Sequence, residues 1–257
     1  FRQIVLIIMS KKLHFFCVLI LVCSMNYGQN QFDSGYVEYG VELNDEFLKK
    51  VKRSGKKNEK LKTAIKYITK FMSNHKKIYS SDKTFLKLTF NNSSYLLEPV
   101  EIMLPENLQG KFIFQSSIYY GNTNSNAYLN QFDKRSKTYI TPFNESYNWE
   151  VKNEQKNILG FSCRKAIIEK KMHSKELNIT NTSKIIAWFT PQIPVAFSPV
   201  RYYGLPGAIL KVTTPMKHIY AKNIEFTDDI EVEKPTDGIK ITAEEYKEMM
   251  TRFKPAK

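Results

Sequence analysis

The chain has 257 residues and carries 39 Lys and Arg against 25 Asp and Glu, a formal net charge of +14. That length suits one domain with a sizeable core, and three cysteines exclude a fold stapled by several disulfides. Seventeen Phe and fifteen Tyr favour the pleated, half-buried surface of a sheet, so a β-rich fold is expected.

Lys11 and Lys12 precede the apolar run LHFFCVLILVC, and the chain then turns polar at SMNYG. A basic start, a short apolar core and a small residue at the boundary describe a secretory signal peptide. The run is too short for a membrane span of about 20 apolar residues. Residues 1–28 are read as an upstream piece plus this signal, with the start at Met9 and cleavage after Gly28. Val22 is bulky for a lipobox, which ranks acylation of Cys23 below plain export. Loss of Arg2, Lys11 and Lys12 leaves 36 basic and 25 acidic residues, a net +11. Cys17 and Cys23 leave with the signal, so Cys163 remains alone and is expected to be a buried small hydrophobe.

Residues 29–257 read as one β-rich domain. In SGYVEYGVELN, Val37, Tyr39, Val41 and Leu43 alternate with polar neighbours, the pattern of a half-buried strand. The basic stretch KKVKRSGKKNEK reads as a solvated connection, with contact to anionic lipid or polysaccharide as the functional alternative. Nucleic acid is disfavoured, because the chain is read as exported and holds no nucleic-acid motif. Leu61, Ile65, Ile68 and Met72 then recur at helical spacing, which predicts one amphipathic helix ending near His75 inside an insertion at about 44–78.

Short strand-like pieces follow: TFLKLTFN, SSYLLEP, KFIFQSSIYY, SKTYIT, SYNWEVK, RKAIIEKK, SKIIAWFT, AILKVT and YAKNIEFT. Their spacing between polar turns predicts antiparallel pairing rather than βαβ units. Asp237–Gly238 marks a turn, and Thr242 with Glu245 forms a capping box opening a short C-terminal helix. The expected architecture is therefore α+β and mainly β. It consists of a single curved antiparallel sheet or half-barrel, one long amphipathic helix and a short C-terminal helix.

In RYYGLPGAILKV, Pro206 and Gly207 have the sequence signature of a type II turn, with positive φ at Gly207. Gly204 permits a close approach or bulge ahead of it. The strand after the turn is expected to place Ile209 with Lys211 on one face and Leu210 with Val212 on the other. YYGLPGAIL resembles the signature of the GLPGLI family of exported proteins typical of Bacteroidetes, with Ala208 in place of the usual leucine. ILGFSCRKA is similar to a second family segment, with Cys163 at its cysteine. AWFTPQIPVAFSPVRYYGLPG and LTFNNSSYL are similar to two more, the first with Pro194 in it and Ser198 where glycine is common. The resemblance implies export and a structural role for Cys163, Pro194, Gly204, Leu205, Pro206 and Gly207. It brings no catalytic activity, substrate or cofactor.

The remaining chemistry is sparse. Cys163 and His173 are the one nucleophile–base pair to weigh, and Met216–His218 holds two soft ligands without a third. Asp228 and Asp229 are adjacent, so on a strand they point to opposite faces. No catalytic residue, metal site or cofactor is expected. Trp188, Phe189, Phe197, Tyr202 and Tyr203 cluster near the signature, either as core or as the mouth of an apolar groove. The Trp-strand and Gly-Leu-Pro order also resembles the periplasmic lipoprotein-localisation carriers, whose curved sheet encloses an apolar cavity. The expected role is a non-catalytic extracytoplasmic binding protein for an apolar ligand or envelope component. The alternative is a protein-interaction module of the periplasm or outer membrane, and an enzyme using Cys163 stands last. The expected partners are lipid or an anionic envelope surface, or an outer-membrane protein.

Overall fold

The structure, a computed structural model, describes residues 32–55, 59–79, 82–102, 117–143, 145–174, 179–228 and 230–251. The expected signal peptide, with Met9 and Cys23, lies outside the described residues. So do residues 111–116 of the strand expected at 111–120.

Among the described residues, twelve strands form one sheet. They are β1 Gly35–Leu43, β2 Leu86–Phe90, β3 Ser94–Pro99, β4 Ile118–Asn122, β5 Ala127–Lys134 and β6 Lys137–Pro142. The second half holds β7 Glu150–Ile158, β8 Phe161–Ser174, β9 Ile179–Thr190, β10 Ala208–Thr213, β11 Lys217–Phe226 and the two-residue β12 Ile239–Lys240. Their order is β12-β6-β5-β4-β3-β2-β1-β11-β10-β9-β8-β7, and every pair is antiparallel except β12 with β6. Strand β1 sits centrally because its alternating Val37, Tyr39 and Val41, all at most 1% exposed, can pack on both neighbours' apolar rows.

Consecutive strands β6 and β7 lie near opposite ends of this order. Ten strand spacings would separate them by about 48 Å in a flat sheet. The link from Pro142 to Glu150 reaches no more than about 29 Å when fully extended. The sheet must therefore curl, as sheets beyond about ten strands do, yet it does not close.

The expected α+β fold, a single curved antiparallel sheet or half-barrel with one long amphipathic helix, is corrected by these observations. The chain is mostly β, helices are a minor component, and the open sheet carries one parallel pair. The insertion is a helical hairpin of α1 Asp45–Gly55 and α2 Glu59–Tyr79, with α2 against β1. Most of the stretch read as a solvated connection is in helix, for an electrostatic reason. Asn44 Oδ1 accepts the Glu46 N–H at 3.1 Å, Asp45 and Glu46 sit in the positive first turn, and Lys52 and Arg53 in the negative last one. From α2, Met72, Ile78 and Tyr79 are buried, and Tyr79 packs its ring 5.4 Å from Phe85.

At the C-terminus, α3 Ala243–Thr251 opens with a reciprocal capping box: Thr242 N–H to Glu245 Oε2 at 2.8 Å and Glu245 N–H to Thr242 Oγ1 at 3.1 Å. Its Tyr246 meets Phe132 edge-on at 5.1 Å, which covers the β5–β6 end.

Candidate functional site: the signature loop, its strap and Trp188

The loop between β9 and β10 folds back into the sheet's interior. Ile193 (0% exposed), Val195 (1%) and Phe197 (1%) join the main apolar cluster, where Phe197 lies 4.8 Å from Phe90. Ala208 N–H donates to Ile193 C=O at 3.2 Å, and Ile209 N–H to Phe197 C=O at 3.0 Å. Pro194 stays exposed between the two buried residues. Leu205 turns the other way into a second cluster with Ile209, Val212, Phe189 and Ala187.

The turn itself differs from the type II form. Gly207 has positive φ, +124°, but its N–H bonds Leu205 C=O at 3.0 Å, closing a three-residue turn around Pro206. Ala208 N–H, which a type II turn would aim at Leu205, is taken by Ile193. Gly204 also has positive φ, +93°, in open space. The expected bulge falls later, between Ile209 and Lys211, and it overturns the simple alternation: Ile209 and Val212 share one cluster, Ala208 and Leu210 the other.

The aromatics after the loop bind Phe143, Tyr147 and Trp149 of the β6–β7 crossing in place. Tyr203 stacks on Tyr128 at 4.0 Å and meets Phe143 edge-on at 5.5 Å. Trp149 Nε1 donates to Tyr203 C=O at 2.9 Å, and Tyr203 Oη to Phe143 C=O at 3.3 Å. Glu145 is the polar hub. Its carboxylate accepts from Tyr147 Oη at 2.5 Å and Lys170 Nζ at 3.3 Å, with Arg201 at 3.9 Å. Burial alone would raise the Glu145 pKa, but the Tyr147 hydrogen bond and the two cations outweigh it and hold the carboxyl below its usual range. Burial pushes Tyr203 up to about 12 and raises Tyr147 and Tyr202 as well, the Glu145 hydrogen bond adding to it at Tyr147. Tyr202 completes the strap against Tyr147 at 5.3 Å.

Of the five aromatics singled out in the sequence, Phe189 and Phe197 are therefore buried, and Tyr202 and Tyr203 are engaged by the strap. Trp188 is different. It is half-buried, lies directly opposite Lys165 on β8 and Lys211 on β10, and has Lys156 Nζ 4.1 Å above its ring. Periodicity could not find these lysines, because only the strand pairing brings them together.

Cys163 is free and 0% exposed, its Sγ 3.6 Å from Phe161 C=O, and burial pushes the thiol up to about 11 despite nearby Lys156. His173 lies ten residues along the same strand, about 33 Å away, so the two are not brought together. His218 pairs with Thr213 Oγ1 at 3.0 Å. Among the described residues, no group of three or more His, Cys, Asp or Glu converges.

Fold and loop together define a mostly β protein built on one open sheet whose main apolar cluster takes in Ile193, Val195 and Phe197 of its signature loop. Over residues 168–211, from β8 through that loop into β10, the chain matches a family described as "Protein of unknown function (Porph_ging)". No curated protein matches the chain in sequence. Two solved structures are similar in fold: "Structure of PNGF-II in P21 space group" and "Structure of PNGF-II in C2 space group". Each has a TM-score of 0.52, at 14% and 13% identity respectively, over 86% of this chain. The chain spans only 33% of the length of either.

Proposed function

We propose that this is an exported, non-catalytic binding protein of the GLPGLI type that attaches to an anionic envelope surface through its helical hairpin. The observation that carries this reading is the hairpin's charge. Lys49, Lys50, Lys52 and Arg53 on α1, and Lys62, Lys66 and Lys70 on α2, are exposed, and Tyr67 stands 71% exposed among them. The exposed acids of α1 are Asp45 and Glu46, and Asp45 is tied to Lys76 at 2.7 Å. Exposed basic residues on both helices, with an exposed aromatic on α2, suit a layer of phosphate headgroups. The signature-loop side chains packed into the main apolar cluster favour a surface ligand over one held inside the sheet, and the family resemblance supports export.

Sedimentation of the full chain with vesicles tests this. Binding to phosphatidylglycerol vesicles at low salt, weakening as the Debye length falls to about 8 Å, is the expected result. The triple variant Lys62→Glu, Lys66→Glu and Lys70→Glu should abolish it. Equal binding to phosphatidylcholine, or no effect of the triple variant, would sink the reading.

A second reading has its own observation. Strand β7 ends the sheet with most of its side chains exposed, which favours a protein partner at that edge. Its mixed charges and the register shift between Val151 and Gln155 are also the devices that block indiscriminate edge pairing, so this reading ranks second.

A further inference from the structure

We propose that Lys156, Lys211 and Trp188 form a binding site for a phosphate-type oxyanion, with the two ammonium groups as donors and the indole as a wall. Directly opposite residues on antiparallel strands share a face, so the pairs Lys165–Trp188 and Trp188–Lys211 set a lysine on each side of the indole. Lys156 comes from the edge strand, opposite Cys163, and closes over the ring at 4.1 Å. Lys165 is neutralised by Glu154 at 3.0 Å. Lys156 and Lys211 have no carboxylate partner among the described residues.

The Lys156 ammonium group over the half-buried indole loses hydration and is repelled by the charge of Lys211. The cost is visible at Lys156, whose pKa is pushed down to about 8, first by burial and then by Lys211. The cation–π contact offsets part of this. An anion between the two lysines would remove the rest, and an oxyanion with several acceptor oxygens can take a donor from each. The site owes nothing to α1 or α2, so it stands or falls separately from the reading above. The phosphate group could belong to a small soluble molecule or to a lipid headgroup, and the test separates them.

The chain has two tryptophans, Trp149 and Trp188, so indole emission is a usable reporter. Full-length protein is titrated with inorganic phosphate at constant ionic strength, chloride being the exchanged ion. The expected result is a saturable emission change that is lost in Trp188→Phe. In Lys156→Gln and Lys211→Gln it should move about tenfold higher in phosphate, the loss of one charge-assisted hydrogen bond. A second titration uses phosphatidylglycerol against phosphatidylcholine vesicles. A Trp188-dependent response to phosphatidylglycerol in place of inorganic phosphate supports the site and assigns it to a lipid headgroup. If a lysine variant fails to fold, phosphate protection of Lys156 against an amine-acylating reagent replaces it as the readout. No saturable response to either probe, curves unchanged in both folded lysine variants, or no protection would overturn the proposal. The triple variant of α2 should leave the inorganic phosphate titration unchanged.

Discussion

A Cβ on Gly207 would lie 2.2 Å from the carbonyl oxygen of Thr190, far inside any allowed contact. Two chain segments meet there without room for a side chain, and Gly207 also holds positive φ. Gly204, three residues earlier, has the positive φ alone, with nothing within 4 Å of the place a methyl group would take.

These two glycines should therefore respond differently. Gly204→Ala meets only the backbone penalty, about 1 kcal/mol. Gly207→Ala adds a clash with backbone that cannot move cheaply, and should cost at least about 2–3 kcal/mol. Urea unfolding of the two variants checks the ordering, and equal losses would contradict it.

The β7–β8 hairpin carries a strained tip. Leu159 (φ +52°) and Gly160 (φ +88°) form a two-residue loop between the paired Ile158 and Phe161, and Leu159 is 45% exposed. Positive φ at both positions marks the I′ type of turn, which favours Asn-Gly. Leu159→Asn should stabilise the protein by about 0.5–1 kcal/mol. The check is a higher urea midpoint at unchanged slope, and a lower midpoint would count against it.

Glu145 predicts an acid-side loss. Its folded pKa is depressed below the usual 4.5, so the unfolded chain binds the proton more readily. The stabilisation is present above 4.5 and disappears as pH falls through the lower folded value. With the side chain 40% exposed, solvent screening keeps the effect small. Thermal unfolding of Glu145→Gln should show a flatter decline between about pH 5 and 3 than wild type; parallel curves would remove Glu145 as the hub.

Cys163 should react slowly with thiol reagents. It is fully covered, and burial holds its thiol up near 11, leaving little thiolate at neutral pH. Labelling of native protein should be at least about a hundredfold slower than in urea. Comparable rates in the two conditions would reopen it as a nucleophile.

Much of the local structure was legible in the chain because it depends on near neighbours. Alternation at Val37, Tyr39 and Val41 marked a strand, Thr242 with Glu245 marked a helix start, and Gly207 marked positive φ. Local signals failed where polarity masked the element. Helix α1 has so many charges that its stretch read as a solvated connection, and β5 passed unnoticed because Asn130 and Gln131 interrupt its apolar row. Asn130 is nonetheless 4% exposed, its Oδ1 without a hydrogen-bond partner among the described residues.

What the amino-acid order determined by itself was which segments extend, where turns need glycine, and which side chains seek cover. Tertiary structure alone decided which strands are neighbours, and with that the rest. It carried β6 and β7 toward opposite ends of the sheet, so that Phe143, Tyr147 and Trp149 became a strap closed by Tyr203 and Glu145. It also set Lys165 and Lys211 on either side of Trp188. Alternation within a strand says which face a residue takes, but the partner across the ladder depends on long-range pairing, which no spacing along the chain encodes.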